Sequence, residues 1–469
     1  MHKKDAWKAY DEKTLAEVEA LAARYRDFLD EGKTEREVVR YVTSRAAALG
    51  FKTLEEAKAA GGIKPGDRIM HSRMGKIMML AVIGTEPFEK GMNMVGAHID
   101  SPRLDVKQLP LFEDGGLAYL DTHYYGGIKK YQWVTQPLAL HGVVSKKDGT
   151  QVQIRFGEDP EDPVLVISDL LIHLAGKQMD KKASSVIAGE DLNVIVGSRP
   201  AKDQKESGDD EEKTGPVKAA VLKLLKEKYD MDEEDFLSAE LEIVPAGKAR
   251  DLGLDASMIL AYGQDDSICA FTSWDAILQV EDPKYTCIAL FTDKEEIGSV
   301  GATGSHSRFF ENTIAELMDL KGEYSELALR RTLENTRVLS ADVTAGFDPT
   351  YAYAFEKNNA AMLGHGIGIN KYTGSRGKSG SNDANAEYLA RVRRVFDDAG
   401  VDFQLSELGK VDEGGGGTIA YIVANYGAEV VDCGVALLSM HAPYEVSSKA
   451  DVYEAMKAYR AFLKDMGPA

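Results

Sequence analysis

The chain has 469 residues, 44% hydrophobic content and a net charge of −20, from 76 acidic and 56 basic residues. That acidity weighs against nucleic acid or an anionic membrane surface as the main partner, and no apolar run approaches the ~20 residues of a membrane span. The length suffices for one large domain and a second, smaller one.

Taken in chain order, the opening Met1-His2-Lys3-Lys4-Asp5-Ala6-Trp7 lacks the apolar core of a signal peptide. Cys269, Cys287 and Cys433 are odd in number, widely spaced and set in apolar surroundings, so they read as buried free thiols in a reducing compartment. Cytoplasmic residence is the expectation. Periodicity predicts helices over 12–30 and 35–49 and strands over 79–84 and 92–97. The second strand runs into Ala97-His98-Ile99-Asp100-Ser101-Pro102. Side chains at i and i+2 share a face of an extended segment, so Asp100 can orient the His98 imidazole and leave its other nitrogen for a metal. A lone histidine at a strand end is more often structural; the His-x-Asp pattern adds weight without deciding.

Beyond His98 the pattern changes to short alternating segments with glycine turns, at 117–123, 133–144, 152–156 and 164–167. Ser168-Asp169-Leu170-Leu171-Ile172-His173-Leu174 is apolar around a single histidine. The polar run 199–216 reads as a surface loop, 217–229 as an amphipathic helix and 239–244 as a strand. From about residue 248 strand–helix alternation resumes. A β-rich block interrupting an α/β pattern is what an inserted domain should look like.

The second α/β stretch carries the remaining acidic and imidazole sites. Gly263-Gln264-Asp265-Asp266-Ser267 precedes an apolar helical stretch, 268–280, and either Asp alone can be a helix cap and nothing more. Cys287-Ile288-Ala289-Leu290-Phe291-Thr292 reads as a buried strand entering Asp293-Lys294-Glu295-Glu296-Ile297-Gly298-Ser299. Adjacent residues at a strand end point to opposite sides, so one glutamate can hold a metal while the other faces water as general base. A solvated acidic turn is the commoner meaning of a lone Glu-Glu pair. Val338-Leu339-Ser340-Ala341-Asp342 and Ala436-Leu437-Leu438-Ser439-Met440-His441 end two more apolar runs on a carboxylate and a histidine. Together these sites sit where open α/β sheets build ligand sites, and mixed histidine–carboxylate ligation suits zinc or a similar divalent ion. Gly-x-Ser-x-Gly is absent. Gly414-Gly415-Gly416-Gly417-Thr418 can cradle an anion or a substrate carbonyl, or serve as a hinge; it lacks the Lys-Ser/Thr ending of a phosphate loop.

In order and rough spacing, the His98–Asp100, Asp293–Ser299, Ser340–Asp342 and Met440–His441 segments resemble the aspartyl aminopeptidase family of dizinc metalloaminopeptidases, in its bacterial branch. The resemblance implies a zinc-peptidase α/β/α sandwich over 1–104 and 240–469, with a β-rich dimerisation domain inserted over 105–239. It also implies His98 and Asp342 on one metal, Glu296 and His441 on a second, and Asp265 bridging them. Glu295 would be the general base and acid, Asp100 the partner of His98, and His173 a histidine reaching into a neighbouring subunit's site. The metals expected are zinc, with cobalt or manganese as alternatives. Expected partners are peptide substrates and further copies of the chain, as dimers assembled into a shell of twelve. Two departures stand out. Asp266 replaces the family's Asn, and 343–351 has no histidine where animal-type members carry them. Preference for an acidic first residue therefore stays open. Lys371, Arg376 and Lys378 can attract such a side chain or form an exposed basic loop; Lys371 is the substrate-binding candidate.

Two further readings remain on sequence alone. One is a deacylase or carboxypeptidase on the same scaffold; the other is a non-catalytic assembly protein stabilised by metal. Structural zinc sites fill their positions with Cys and His, whereas this set is rich in carboxylates and keeps a spare glutamate, which favours catalysis.

Overall fold

A computed structural model describes residues 4–201 and 215–468. The chain forms two units: one comprises the residues up to Ser101, Ala249–Met440 and those from Glu445 onward, and the other Pro102–Lys248 with His441–Tyr444.

The first unit is built on a nine-stranded sheet. Its four central strands, Cys287–Thr292, Asn93–His98, Arg337–Ser340 and Glu429–Gly434, run parallel, so their carboxyl ends share one edge. Their sequences lack the alternation of a half-exposed sheet because both faces are covered: every residue of Asn93–His98 and Cys287–Thr292 is buried. Successive side chains enter different cores. Val95, Ala97, Phe291, Leu339 and Val431 join one, and Met94, Leu290, Val338 and Val430 the other. Helices Glu12–Glu31, Glu35–Ala48, Gln264–Leu278, Ala386–Asp398 and Lys449–Asp465 cover the first face; Leu54–Ala59, Phe309–Lys321, Glu326–Glu334 and Ala420–Ala424 cover the second. The result is an α/β/α sandwich. Local chemistry sets the helix starts: Asp11 accepts from the Thr14 N–H at 2.8 Å, and Thr34 caps the next helix through the Glu37 N–H. Glu12–Glu31 then buries Val18, Leu21, Ala22, Tyr25, Phe28 and Leu29, one apolar stripe at helical spacing.

The second unit holds a six-stranded antiparallel sheet in the order Gln151–Phe156, Leu138–Ser145, Ala239–Pro245, Arg103–Asp114, Leu117–Tyr125, Val194–Gly197. It reaches further than 105–239. Ala239–Pro245 pairs along its whole length with Leu138–Ser145, which places 240–248 in this unit, and 441–444 group with it as well. The strand expected from Trp133 begins only at Leu138, because Lys130–Gln132 forms a 3-10 turn and Pro137 has no N–H for a ladder. The 164–167 segment forms isolated bridges at Leu165 and Val166 in place of a strand. Arg103–Asp114 was not anticipated: its pairing with Leu117–Tyr125 shifts register between Val106 and Leu111, which breaks the alternation that reveals a strand. Most of the polar run 199–216 lies outside the described residues. Among the described residues no helix is long and apolar enough to cross a membrane, and the three cysteines are buried and free.

Candidate metal centre

The carboxyl edge of the central parallel strands gathers the titratable groups. His98 closes its strand, 2% exposed. Its Nδ1 lies 2.9 Å from the Asp100 carbonyl oxygen and 3.4 Å from Asp100 Oδ1. Its Nε2 lies 3.1 Å from Asp265 Oδ1 and 4.0 Å from Asp342 Oδ1. One ring nitrogen is thus held by Asp100, and the other faces two carboxylates.

Asp100 has a second task that its position in the sequence does not betray. Its Oδ1 and Oδ2 accept the backbone N–H groups of Glu295 and Glu296, at 3.1 and 3.2 Å. Those glutamates do not extend the strand, which ends at Thr292; Glu295–Ile297 is a 3-10 turn, entered through Lys294 in the left-handed region. Alternation at a strand end therefore does not separate the two carboxylates. Both can bring an oxygen to His98: one donor atom from each of His98, Glu295 and Glu296 lies within 4.8 Å of the others, and the same holds for His98, Asp265 and Asp342. Just before the turn, Asp293 is clamped by the Thr303 hydroxyl at 2.5 Å. Burial, together with the charges of Glu35 and Asp100, pushes its carboxyl up to about 6.

Asp265 begins the Gln264–Leu278 segment with a non-helical backbone, so it is not a simple cap. Its N–H donates to Glu445 Oε2 at 3.0 Å and its carbonyl accepts from the Ser101 hydroxyl at 2.9 Å. Gln264 completes the clamp, donating to the Glu445 carbonyl at 2.7 Å while accepting from the Ser447 hydroxyl at 2.6 Å. Sequence reading missed Glu445, Gln264 and Ser101; a charge within the short run Glu445–Ser448 was the one available signal. Asp342 follows its strand by two residues, and Gly434 packs so tightly on it that a Cβ there would lie 1.9 Å from the Asp342 carbonyl oxygen.

Electrostatically the cluster calls for a cation. Burial, then the charges of Glu295, Asp266 and Asp265, push the Asp342 carboxyl well above its ordinary range. Burial and Asp265 do the same to Asp266, which is fully buried with the Cys269 thiol and the His98 backbone as polar neighbours. Burial alone would depress His98; its hydrogen bonds to Asp100 and Asp265 overcome that and raise it well above the usual value. Buried carboxylates crowding one imidazole are the donor set of a divalent ion.

Three predicted residues remain, His441, His173 and Lys371. His441 sits in the second unit with a left-handed backbone, its Nδ1 2.9 Å from the Gly127 carbonyl oxygen. His173 is on the exposed 3-10 turn Ile172–Leu174. Lys371 is ion-paired with Asp383, which also takes Lys378 at 2.9 Å.

The sequence profile of the Aminopeptidase I zinc metalloprotease (M18) family matches residues 28–463. The chain belongs to the M18 aminopeptidase family. This is the aspartyl aminopeptidase family of the resemblance, and the protein is a metalloaminopeptidase, a hydrolase acting on peptides. A probable M18 family aminopeptidase 1 of Clostridium acetobutylicum is 57% identical over 463 residues, 98% of each chain. Its counterpart in Thermotoga maritima is 44% identical over 467 residues, 99% of this chain and 100% of that one. A crystal structure of the Thermotoga maritima M18 aminopeptidase matches with a TM-score of 0.93 at 43% identity, covering 99% of this chain and all of the other. One of aminopeptidase I from Clostridium acetobutylicum gives 0.91 at 54% identity, with the same coverage. A structure described as a yeast mApe1 dodecamer shares the fold, with a TM-score of 0.75 at 20% identity over 95% of this chain and 96% of that one.

Proposed function

We propose that this M18 aminopeptidase holds two divalent ions, in the first instance zinc, and removes the first residue of peptides by activated water. The supporting observation is that His98, Asp265 and Asp342 bring donor atoms within 4.8 Å of one another, with an oxygen from each of Glu295 and Glu296 within the same reach of His98. A donor set this rich in carboxylates suits a pair of divalent ions. In this reading His98 and Asp342 would hold one ion and Glu296 and His441 the other, with Asp265 shared between them. The Gly127 carbonyl beside His441 Nδ1 leaves Nε2 as that residue's donor. Bound metal would lower the pKa of water and polarise the scissile carbonyl.

Glu295 performs the proton work. It takes the proton from the attacking water and delivers it to the departing amine. Asp100 fixes both partners at once, holding the His98 ring and the backbone of Glu295 and Glu296. Lys371 is occupied by Asp383 and lends no support to an acidic first residue.

Self-association belongs to the same reading. Leu170, Leu171, Ile172 and Leu174 are 46–70% exposed around His173. An apolar strip of this kind suits burial against another copy, and a relative's structure is described as a dodecamer. His173 would then complete a neighbour's site. The free buried thiols fit a reducing, cytoplasmic setting.

Aminoacyl anilides of Asp, Glu, Leu, Lys and Met, run with zinc, cobalt or manganese beside N-acetylated controls, test the activity. Hydrolysis restricted to free-amine substrates, with two metal ions per chain by elemental analysis, is expected. Cleavage of the acetylated forms would point to a deacylase and overturn the reading.

A further inference from the structure

The Gly414–Gly417 run has no part in the chemistry above, and its four glycines are not alike. Gly414 and Gly415 have a packing reason for lacking a side chain: a Cβ would lie 1.9 Å from the Leu408 carbonyl oxygen at the first, and 2.4 Å from the Gly374 carbonyl oxygen at the second. Gly416 and Gly417 have none. A Cβ at Gly416 would meet only Leu408 Cδ2, at 3.7 Å, and one at Gly417 nothing nearer than the Gly380 carbonyl oxygen, at 4.0 Å. Neither adopts the left-handed backbone that favours glycine. Among the described residues nothing accepts a hydrogen bond from either N–H. Glycine is the entropically costly choice for a chain segment. Two in a row with neither conformational nor internal steric cause leave room, and open donors, for something that approaches the backbone closely.

The surroundings say what that is. The Thr418 hydroxyl donates to Asp432 Oδ1 at 2.6 Å. Asp432 is 1% exposed and stands in register with Ser340, two residues before Asp342. Ile419 packs on the other side, its Cδ1 3.1 Å from where a Cβ on Gly96 would be, two residues before His98. The run is therefore pinned at the carboxyl edge from which His98 and Asp342 emerge.

We propose that Gly416 and Gly417 form a docking floor for the main chain of the peptide substrate, and that Asp432, acting through Thr418, is the residue that positions it. The ligand class is an extended peptide backbone, recognised by close approach and by N–H donors and not by its side chains. The inference rests on the aminopeptidase reading of the same edge.

The test uses the full-length, metal-loaded enzyme, with leucyl-p-nitroanilide and a leucyl tripeptide amide as probes. Gly416→Ala and Gly417→Ala each add one methyl group to open space. Tm and metal content should stay at the parent's values while KM rises at least tenfold, with kcat within threefold. Thr418→Val and Asp432→Asn should shift KM in the same direction, and Thr418→Ser should restore it. If both alanine variants keep KM within twofold of an active parent, the docking floor is refuted and the aminopeptidase survives. If Thr418→Val lowers Tm and kcat with KM unchanged, the positioning role is refuted and Thr418 is structural. A parent inactive on every free-amine peptide would remove the aminopeptidase reading and this inference with it.

Discussion

The two units answer the same problem of burying a sheet in opposite ways. In the first, strands such as Ile77–Val82, Asn93–His98 and Cys287–Thr292 are buried on both faces, and helices close the sandwich. In the second, Gln151–Phe156 and Leu117–Tyr125 alternate between inside and outside, and the sheet leaves side chains facing water. A sheet enclosed on both faces can present chemistry only at its strand ends, where buried backbone geometry fixes side chains to fractions of an ångström. A half-open sheet offers faces and loops, which suit contact with other molecules. The comparison predicts catalytic loss without unfolding from changes at the enclosed sheet's edge, and loss of association from changes in the open unit.

The largest effect is expected from Glu295→Gln, which should lower kcat about 10³-fold by removing the base, with metal content and Tm at parental values. Retained full activity would refute the assignment. Asp100→Ala should come next. It releases the His98 ring and the Glu295 and Glu296 amides together, so metal affinity and kcat/KM should each fall about 10–100-fold, read by metal titration and anilide assay. In the open unit, Ile172→Asp places a charge in the exposed apolar strip. The particle measured by light scattering should shrink while Tm moves by less than about 2 °C, since surface changes stay within ~0.5 kcal/mol. An unchanged particle size would mean that this strip is not a contact.

A pH dependence at Asp432 is read in stability and not in activity. Burial pushes Asp432 from 3.8 up to about 6, so the fold favours its protonated form. Its contribution is fully present below the unfolded value and is lost as pH rises through 6. Asp432→Asn, which never ionises, should gain on the parent between pH 4 and 8 by up to about 3 kcal/mol. Thermal melts across that range should show the difference in Tm growing with pH; a flat difference would refute the buried-carboxyl account.

Much of this was legible in the sequence, because local signals coincide with long-range ones. Apolar periodicity announces the helices over 12–30 and 35–49, and the apolar runs before His98, Asp293 and Asp342 announce the strands that deliver them to one edge. What was not legible depends on pairings across the chain. The clamp of Glu445 on the Asp265 N–H spans 180 residues and exists only because Met258–Ala261 pairs with Glu445–Ser448. The double role of Asp100 needs a 3-10 turn where alternation suggested more strand. Lys371 looked available until Asp383, twelve residues on, took it. The inserted unit reads as β-rich from its alternating segments, while pairing and not composition decides where its sheet stops.

The ends of the nine-stranded sheet carry a consequence of their own. One border is Lys52–Thr53, two residues long, and the other is Phe403–Leu405, three. An intruding strand would find almost no ladder of vacant amides and carbonyls to zip onto. The nine-stranded sheet is thereby guarded against edgewise polymerisation.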